Sequence, residues 1–166
     1  MNAPEPIAVP TVPGTPFAGG LFIARFCVGV QTYALIAAPK AEGEVGNTKW
    51  NGKSKRVDDA LSVVDGQANT AAMAKAGSEL AKWAQALRIG GHDDWYLPSR
   101  LEALLLYAAA AEIPAADAFE RDWYWTSTQY ASESSYAWCQ FFDNGYQNTS
   151  LKGYQLRARA VRRVAL

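Results

Sequence analysis

The side chains of this 166-residue sequence that could carry chemistry are few and scattered. The single histidine, His92, excludes a multi-histidine metal site and leaves no spare for a triad. Asp93 and Asp94 follow it, but neighbours along a strand point to opposite faces and do not converge on one proton. Cys27 and Cys139 are too few for a disulfide framework and read as reduced thiols. Phe141-Phe142-Asp143-Asn144, with Glu133 nearby, offers oxygens in a tight turn, short of the converging set that Ca²⁺ requires. Arg157, Arg159, Arg162 and Arg163 crowd the end of the chain and could touch phosphate, yet Ala and Val alternate with them as a strand demands. No nucleophile stands with its base and no phosphate loop occurs, so no catalytic residue, no metal and no cofactor is expected, and the chain reads as non-enzymatic.

Composition narrows the rest. With 49% hydrophobic and 19% charged residues, and with 6 Trp, 8 Tyr and 6 Phe, the chain can build one core and lies far from the disordered profile. Its formal net charge of zero creates no global field toward nucleic acid or an anionic membrane, so neither is expected as a partner. The first residues, MNAPEPIAVPTVPGTP, show no basic and apolar leader pattern, so no signal peptide is expected, and no apolar run reaches membrane-spanning length.

Elements to position these residues follow from spacing. Residues 1–16 are Pro-rich and are expected to form an extended arm, with one domain over 17–166. The runs LFIARFCV and TYALIAA, joined through Gly29, predict a hairpin. Residues 39–67 read as a long excursion anchored at Trp50. Met73, Ala76, Leu80, Trp83, Ala84 and Leu87 predict one helix capped by Asn69 and stopped by Gly90-Gly91. Ser99 and Glu102 have capping-box spacing before a second helix, whose buried side is expected to be Leu101, Leu104, Leu105 and Ala108. Beyond Trp123 everything reads as strands, with a hairpin turn at Asn144-Gly145. Strands at both ends around two helices define an α+β domain.

Two blocks then carry a resemblance. Asp94-Trp95-Tyr96-Leu97-Pro98-Ser99-Arg100-Leu101-Glu102-Ala103 and Tyr124-Trp125-Thr126-Ser127-Thr128 precede Ala137-Trp138 and the arginine-rich end. From Phe17 to Val164 this series resembles the carboxy-terminal domain of the collagen-like bacterial adhesin Lcl, with Ala103 departing from the usual Leu. The resemblance implies a C-type-lectin-like fold, with paired terminal strands, two helices on antiparallel strands, and a ligand face from the later strands and loops. Within that fold, calcium lectins carry E-P-N or Q-P-D loops and a W-N-D strand, none of which occurs, and formylglycine-generating chemistry needs a cysteine pair that the carboxy-terminal half lacks. The resemblance also implies that Asp94 braces the turn before Trp95.

A two-residue turn at Asn144-Gly145 would pair Asp143 with Tyr146, Phe141 with Asn148 and Cys139 with Ser150 on one face. The opposite face carries Trp138, Phe142 and Leu151 with Gln140 and Gln147, and is expected to face the core. Trp123, Trp125 and Trp138 likewise read as core fillers rather than a sugar platform. The candidate ligand-binding surface is therefore Cys139, Phe141, Asp143, Asn144, Tyr146, Asn148 and Ser150. Its rim is expected from Tyr130, Ser132, Glu133, Ser134, Thr149, Leu151, Gly153 and Tyr154. The same stretch resembles proteins diversified by retroelements. Adenine-directed change of an Asn codon can yield the types found at Cys139, Phe141, Asp143, Tyr146, Thr149, Ser150, Leu151, Gly153 and Tyr154.

The expected function is receptor binding by a phage tail or prophage protein, with a cell-surface protein or glycan as partner. Oligomers are compatible with it, and the Pro-rich arm is available to other virion proteins. The expected place is the virion, or the bacterial cytoplasm before assembly. The competing reading is a structural or adaptor protein of a virion that uses the same fold for subunit contacts.

Overall fold

A computed structural model describes residues 8–166. The fold is α+β, with helices packed on two sheets. The first sheet contains β1 (Pro16–Phe17), β2 (Gly20–Val28), β3 (Gln31–Ala37) and β9 (Val161–Ala165), in the order β1-β2-β3-β9. The predicted hairpin is β2–β3, turned at Gly29, whose φ of 60° is open to glycine at no steric cost. Pairing of β3 with β9 joins the two ends of the chain, as the resemblance implied.

The second sheet has the order β4-β8-β5-β6-β7, formed by β4 (Glu44–Lys49), β5 (Trp123–Gln129), β6 (Tyr136–Phe141), β7 (Gln147–Leu151) and β8 (Gln155–Arg159). Its pairings are antiparallel except β5 with β8, which run parallel at Tyr124 and Arg157, a departure from the expected all-antiparallel set. The parallel step arises because the chain leaves edge strand β7 and returns to the sheet on the far side of β5.

Among the described residues, four α-helices replace the two expected. α1 is the single turn Lys40–Gly43. The long helix expected after Asn69 is two helices, α2 (Gly66–Lys75) and α3 (Glu79–Ala86), because Gly77 at φ 93° breaks the run and Ser78 starts a new cap. Asp65, not Asn69, caps α2 by accepting from Ala68 N. Asn69 is buried instead, holding the Ser62 backbone through both ends of its amide. α4 (Arg100–Ala109) keeps the predicted capping box of Ser99 and Glu102. Its buried side is Glu102, Ala103, Leu106 and Ala109, whereas Leu101 and Leu105 are half-buried and Leu104 is 44% exposed. The stripe is rotated because the buried Glu102 carboxylate must face the neighbouring segment. It accepts from Ser99 N, from Gly66 N and from the Tyr96 hydroxyl. A Cβ on Gly66 would collide with Glu102 Oε2, so glycine is required at that close approach.

The second half of the Pro-rich stretch does not stand clear of the domain. Gly14 N donates to Phe22 O, Phe22 N donates to Thr15 O, and Val9 and Phe17 pack against the core cluster of Phe22, Ala34, Ile36 and Trp95. The amino-terminal part of the expected arm, residues 1–7, lies outside the described residues.

The terminal arginines lock these layers. Arg159 is 1% exposed, pairs with Glu44 through Nη2 at 2.6 Å and donates to the carbonyls of Ala38 and Asp117. Arg162 holds Asp94 with two parallel hydrogen bonds of 2.7 and 2.9 Å, and Arg163 reaches Asp65 at 3.0 Å. Removing one partner of a buried pair strands the other charge, whereas an exposed pair contributes little. Arg159→Gln is therefore expected to cost about 3–5 kcal/mol of unfolding free energy and Arg157→Gln, whose side chain is 34% exposed, about 1 or less. Urea denaturation followed by circular dichroism measures both, and equal losses would contradict this assignment.

Candidate functional site

The two sequence blocks meet inside the molecule. Tyr96 and Val161 exchange backbone hydrogen bonds of 2.8 and 2.9 Å, Ser127 N donates to Pro98 O, and Arg100 N donates to the Thr128 hydroxyl. Trp95, Tyr96, Leu97 and Trp125 are buried, as are Thr126, Ser127 and Thr128. The blocks thus hold the scaffold. Asp94 anchors β9 through Arg162, and that contact keeps its carboxyl below the ordinary value against the opposing effect of burial.

The surface must therefore come from the strands beyond. The β6–β7 register differs by two residues from the expected one. Cys139 pairs with Asn148 and Ala137 with Ser150, while Phe141 N donates to Tyr146 O across a four-residue loop of Phe142 to Gly145. Gly145 sits at φ 83° with no room for a side chain beside the Tyr107 ring, and this closes the wider loop. A shift of two keeps every side chain on its expected face. Ala137, Cys139, Phe141, Asn148 and Ser150 share one side, and Tyr136, Trp138, Gln140, Gln147, Thr149 and Leu151 the other. The glutamines are hydrogen-bonded as expected, Gln147 Nε2 donating to Gln140 Oε1 and to Arg100 O.

Neither face is wholly core. Cys139, expected at the surface, is 1% exposed, because it stands over the cluster of Trp50, Leu97, Trp125 and Ala158. Trp138, expected in the core, is half-buried under the Arg100 guanidinium and against the edge of Tyr130. Phe142 is buried as expected, stacked on Phe119. Thr149 and Leu151 lie half-buried on the Trp138 side, and Ser150 half-buried on the Cys139 side. Ser132 and Glu133 are exposed and Ser134 half-buried in the β5–β6 loop, while Gly153 and Tyr154 are exposed between β7 and β8. The candidate residues therefore do not form one patch.

What remains together is a row across one end of the second sheet. Trp123 of β5 stacks on Phe141 of β6 with ring centroids 4.7 Å apart and planes 18° apart. Leu156 of β8 flanks Trp123, and Tyr146 lies across from Phe141 with 69% exposure. Trp123, Phe141 and Leu156 are each half-buried. Asp143, Asn144 and Asn148 are exposed beside the row, and Asp143 pairs with the exposed Arg121. Apolar rings with a wet polar margin are the composition of a recognition surface. Sequence reading took Trp123 as a core filler with Trp125 and did not single out Leu156, since alternation does not tell where along a strand the cover ends.

Family comparison bears on the same blocks. The sequence model of the Lcl C-terminal domain matches residues 41–162, well over half of the chain. The chain belongs to the Lcl C-terminal domain family. No curated protein matches the sequence. Within the Lcl C-terminal domain the match covers both blocks, the second sheet and the start of β9, whereas the β2–β3 hairpin precedes it. Among the described residues, no helix of this Lcl C-terminal domain is long and apolar enough to cross a membrane. A surface groove of about 710 Å³ lies elsewhere, where Phe17, Arg25, His92 and Val164 meet near the chain ends.

The remaining chemical candidates have structural employment. His92 closes the turn with Ile89, and its carbonyl accepts from Trp95 Nε1. Burial pushes the Cys139 thiol up to about 11. Cys27 is exposed and unpaired. A disulfide-exchange reagent is therefore expected to titrate one thiol in the native Lcl C-terminal domain and two after denaturation, with Cys27→Ser abolishing the native reaction.

One functional-type residue escaped the sequence reading altogether. Lys152 is fully buried, donating from Nζ to Lys55 O at 2.7 Å and to Gln129 Oε1 at 2.6 Å, over the Trp50 ring at 4.5 Å. Burial, aided by the Arg56 charge, pulls its pKa down to about 8 from 10.5. Between those values the unfolded chain keeps a proton that the folded chain has released, so this residue's contribution to stability improves as pH rises. Wild type is expected to gain stability relative to Lys152→Met from pH 8 toward pH 10. Thermal melts of the two proteins across that range check it, and parallel profiles would count against the depressed titration.

Proposed function

We propose that this Lcl C-terminal domain is a ligand-recognition module, carried on a phage tail or encoded by a prophage, that binds a cell-surface protein or glycan. The observation that carries the reading is the row Leu156–Trp123–Phe141–Tyr146, an apolar ledge held rigid by three paired strands and edged by Asp143, Asn144 and Asn148. Rings fixed before contact lose little conformational freedom on binding, so their area is available for affinity. A non-enzymatic role is supported by the same facts that occupy the reactive groups: Cys139 is buried with its thiol protonated, and Asp94 is held by Arg162. The terminal arginines, which could have served a phosphate, are each committed to a carboxylate of the chain itself.

Binding of the labelled protein to host cells, with particle assembly scored in parallel, separates this reading from an adaptor role. Phe141→Ser and Tyr146→Ser are expected to weaken cell binding about tenfold or more while particles still form. Tyr146→Ser should leave unfolding free energy within about 0.5 kcal/mol, since its ring is mostly in water. Failed assembly with normal cell binding would instead favour the adaptor.

A further inference from the structure

Every arginine of the described chain that is not fully exposed pairs with a carboxylate, except one. Arg157 meets Asp122 and Glu44, Arg159 meets Glu44, Arg162 meets Asp94 and Arg163 meets Asp65. Arg100 is half-buried and makes no ion pair among the described residues. Its guanidinium lies over Trp138, with Cζ 3.5 Å from the ring centroid, and its Nε donates to Gln147 Oε1 at 3.3 Å. Tyr130 also packs on Trp138, edge to face with ring centroids 5.5 Å apart. The head group is thus held in place by the Trp138 ring and by one amide, with Nη1 and Nη2 left without an acceptor among the described residues.

We propose that Arg100, laid on Trp138, receives the carboxylate of an acidic side chain on a protein partner. Occupation of Nε by Gln147 leaves the Nη1–Nη2 edge, which matches the two oxygens of a carboxylate in parallel hydrogen bonds. A single cation suits a monoanion, and the amino end of α4, which might have added charge for a phosphate, is already satisfied by Ser99 and Glu102. The surroundings favour a peptide over a sugar acid. Leu104, one turn along α4, is 44% exposed and offers sugar hydroxyls no partner, whereas an apolar residue beside the acid would rest on it. The site stands on the opposite face of the second sheet from the Trp123–Phe141 row. Failure here leaves that row's role untouched, and the reverse also holds.

The test is NMR of the isotope-labelled chain, observed at Arg100 Nε and Trp138 Nε1, during titration with N-acetyl-glutamyl-leucine amide. Controls are the glutaminyl analogue and glucuronate at equal ionic strength. The glutamyl peptide is expected to shift both signals saturably, with the glutaminyl analogue and glucuronate at least about tenfold weaker. Arg100→Lys, which keeps the charge, should lose about tenfold in affinity, with circular dichroism confirming an unchanged fold. Equal responses to the two peptides, no response to either, or full binding by Arg100→Lys would overturn the proposal. Tighter binding of glucuronate would assign the site to an acidic glycan and overturn it equally.

Discussion

A guanidinium taken out of water must find acceptors for its donors, and Arg159 finds them only if three distant segments come together. Glu44 opens β4, Ala38 follows β3, and Asp117 lies on the turn after α4. The neighbouring arginines extend the same demand, Arg162 to Asp94 and Arg163 to Asp65. The stretch from β8 into β9, with Ala158, Ala160 and Val161 fully buried and its arginines reaching in turn to different segments, is a clamp on every layer. This explains how a chain with no net charge carries a basic end that is not a basic surface.

Once that clamp is closed, the second sheet cannot hide both faces. Its β5 is covered on one side by the Trp50 and α2–α3 cluster and on the other by α4. Cover thins toward β6 and β7, and toward the end where Trp123 and Phe141 stand. The connection from β7 back to β8 is fixed by Lys152, whose N–H donates to Ser135 O and whose carbonyl accepts from Trp50 N. A lysine there satisfies carbonyl and amide acceptors that no apolar residue could, and the lowered pKa is the physical consequence.

Much of this was legible in the sequence because local rules and burial agreed. Ser99 and Glu102 announced a helix start, Gly29 a hairpin, and the order of strands and helices the α+β class. Asn144-Gly145 announced a turn, but the loop came out wider, since Phe142 gains more by stacking on Phe119 than by extending β6. Parity survived, so Phe141 and Asn148 were placed on the correct side. Cys139 was not placed correctly in depth, because alternation reports which face a residue occupies and not what covers that face. Lys152 and the Arg159–Glu44 pair carry no local signature, since their partners lie 23 to 115 residues away in the chain.

The same separation bears on how such a domain tolerates change. Trp95, Tyr96, Trp125 and Ser127 answer to many partners at once, so altering one disturbs packing and hydrogen bonds in both sheets. Tyr146 answers chiefly to water, and Phe141 to Trp123 alone among the aromatic rings. Substitution there alters what the surface can hold while the core keeps its acceptors and its density. A surface can vary without cost to the fold only where the scaffold has no unmet demand on it, and the end of this sheet meets that condition because the arginine clamp is complete without it.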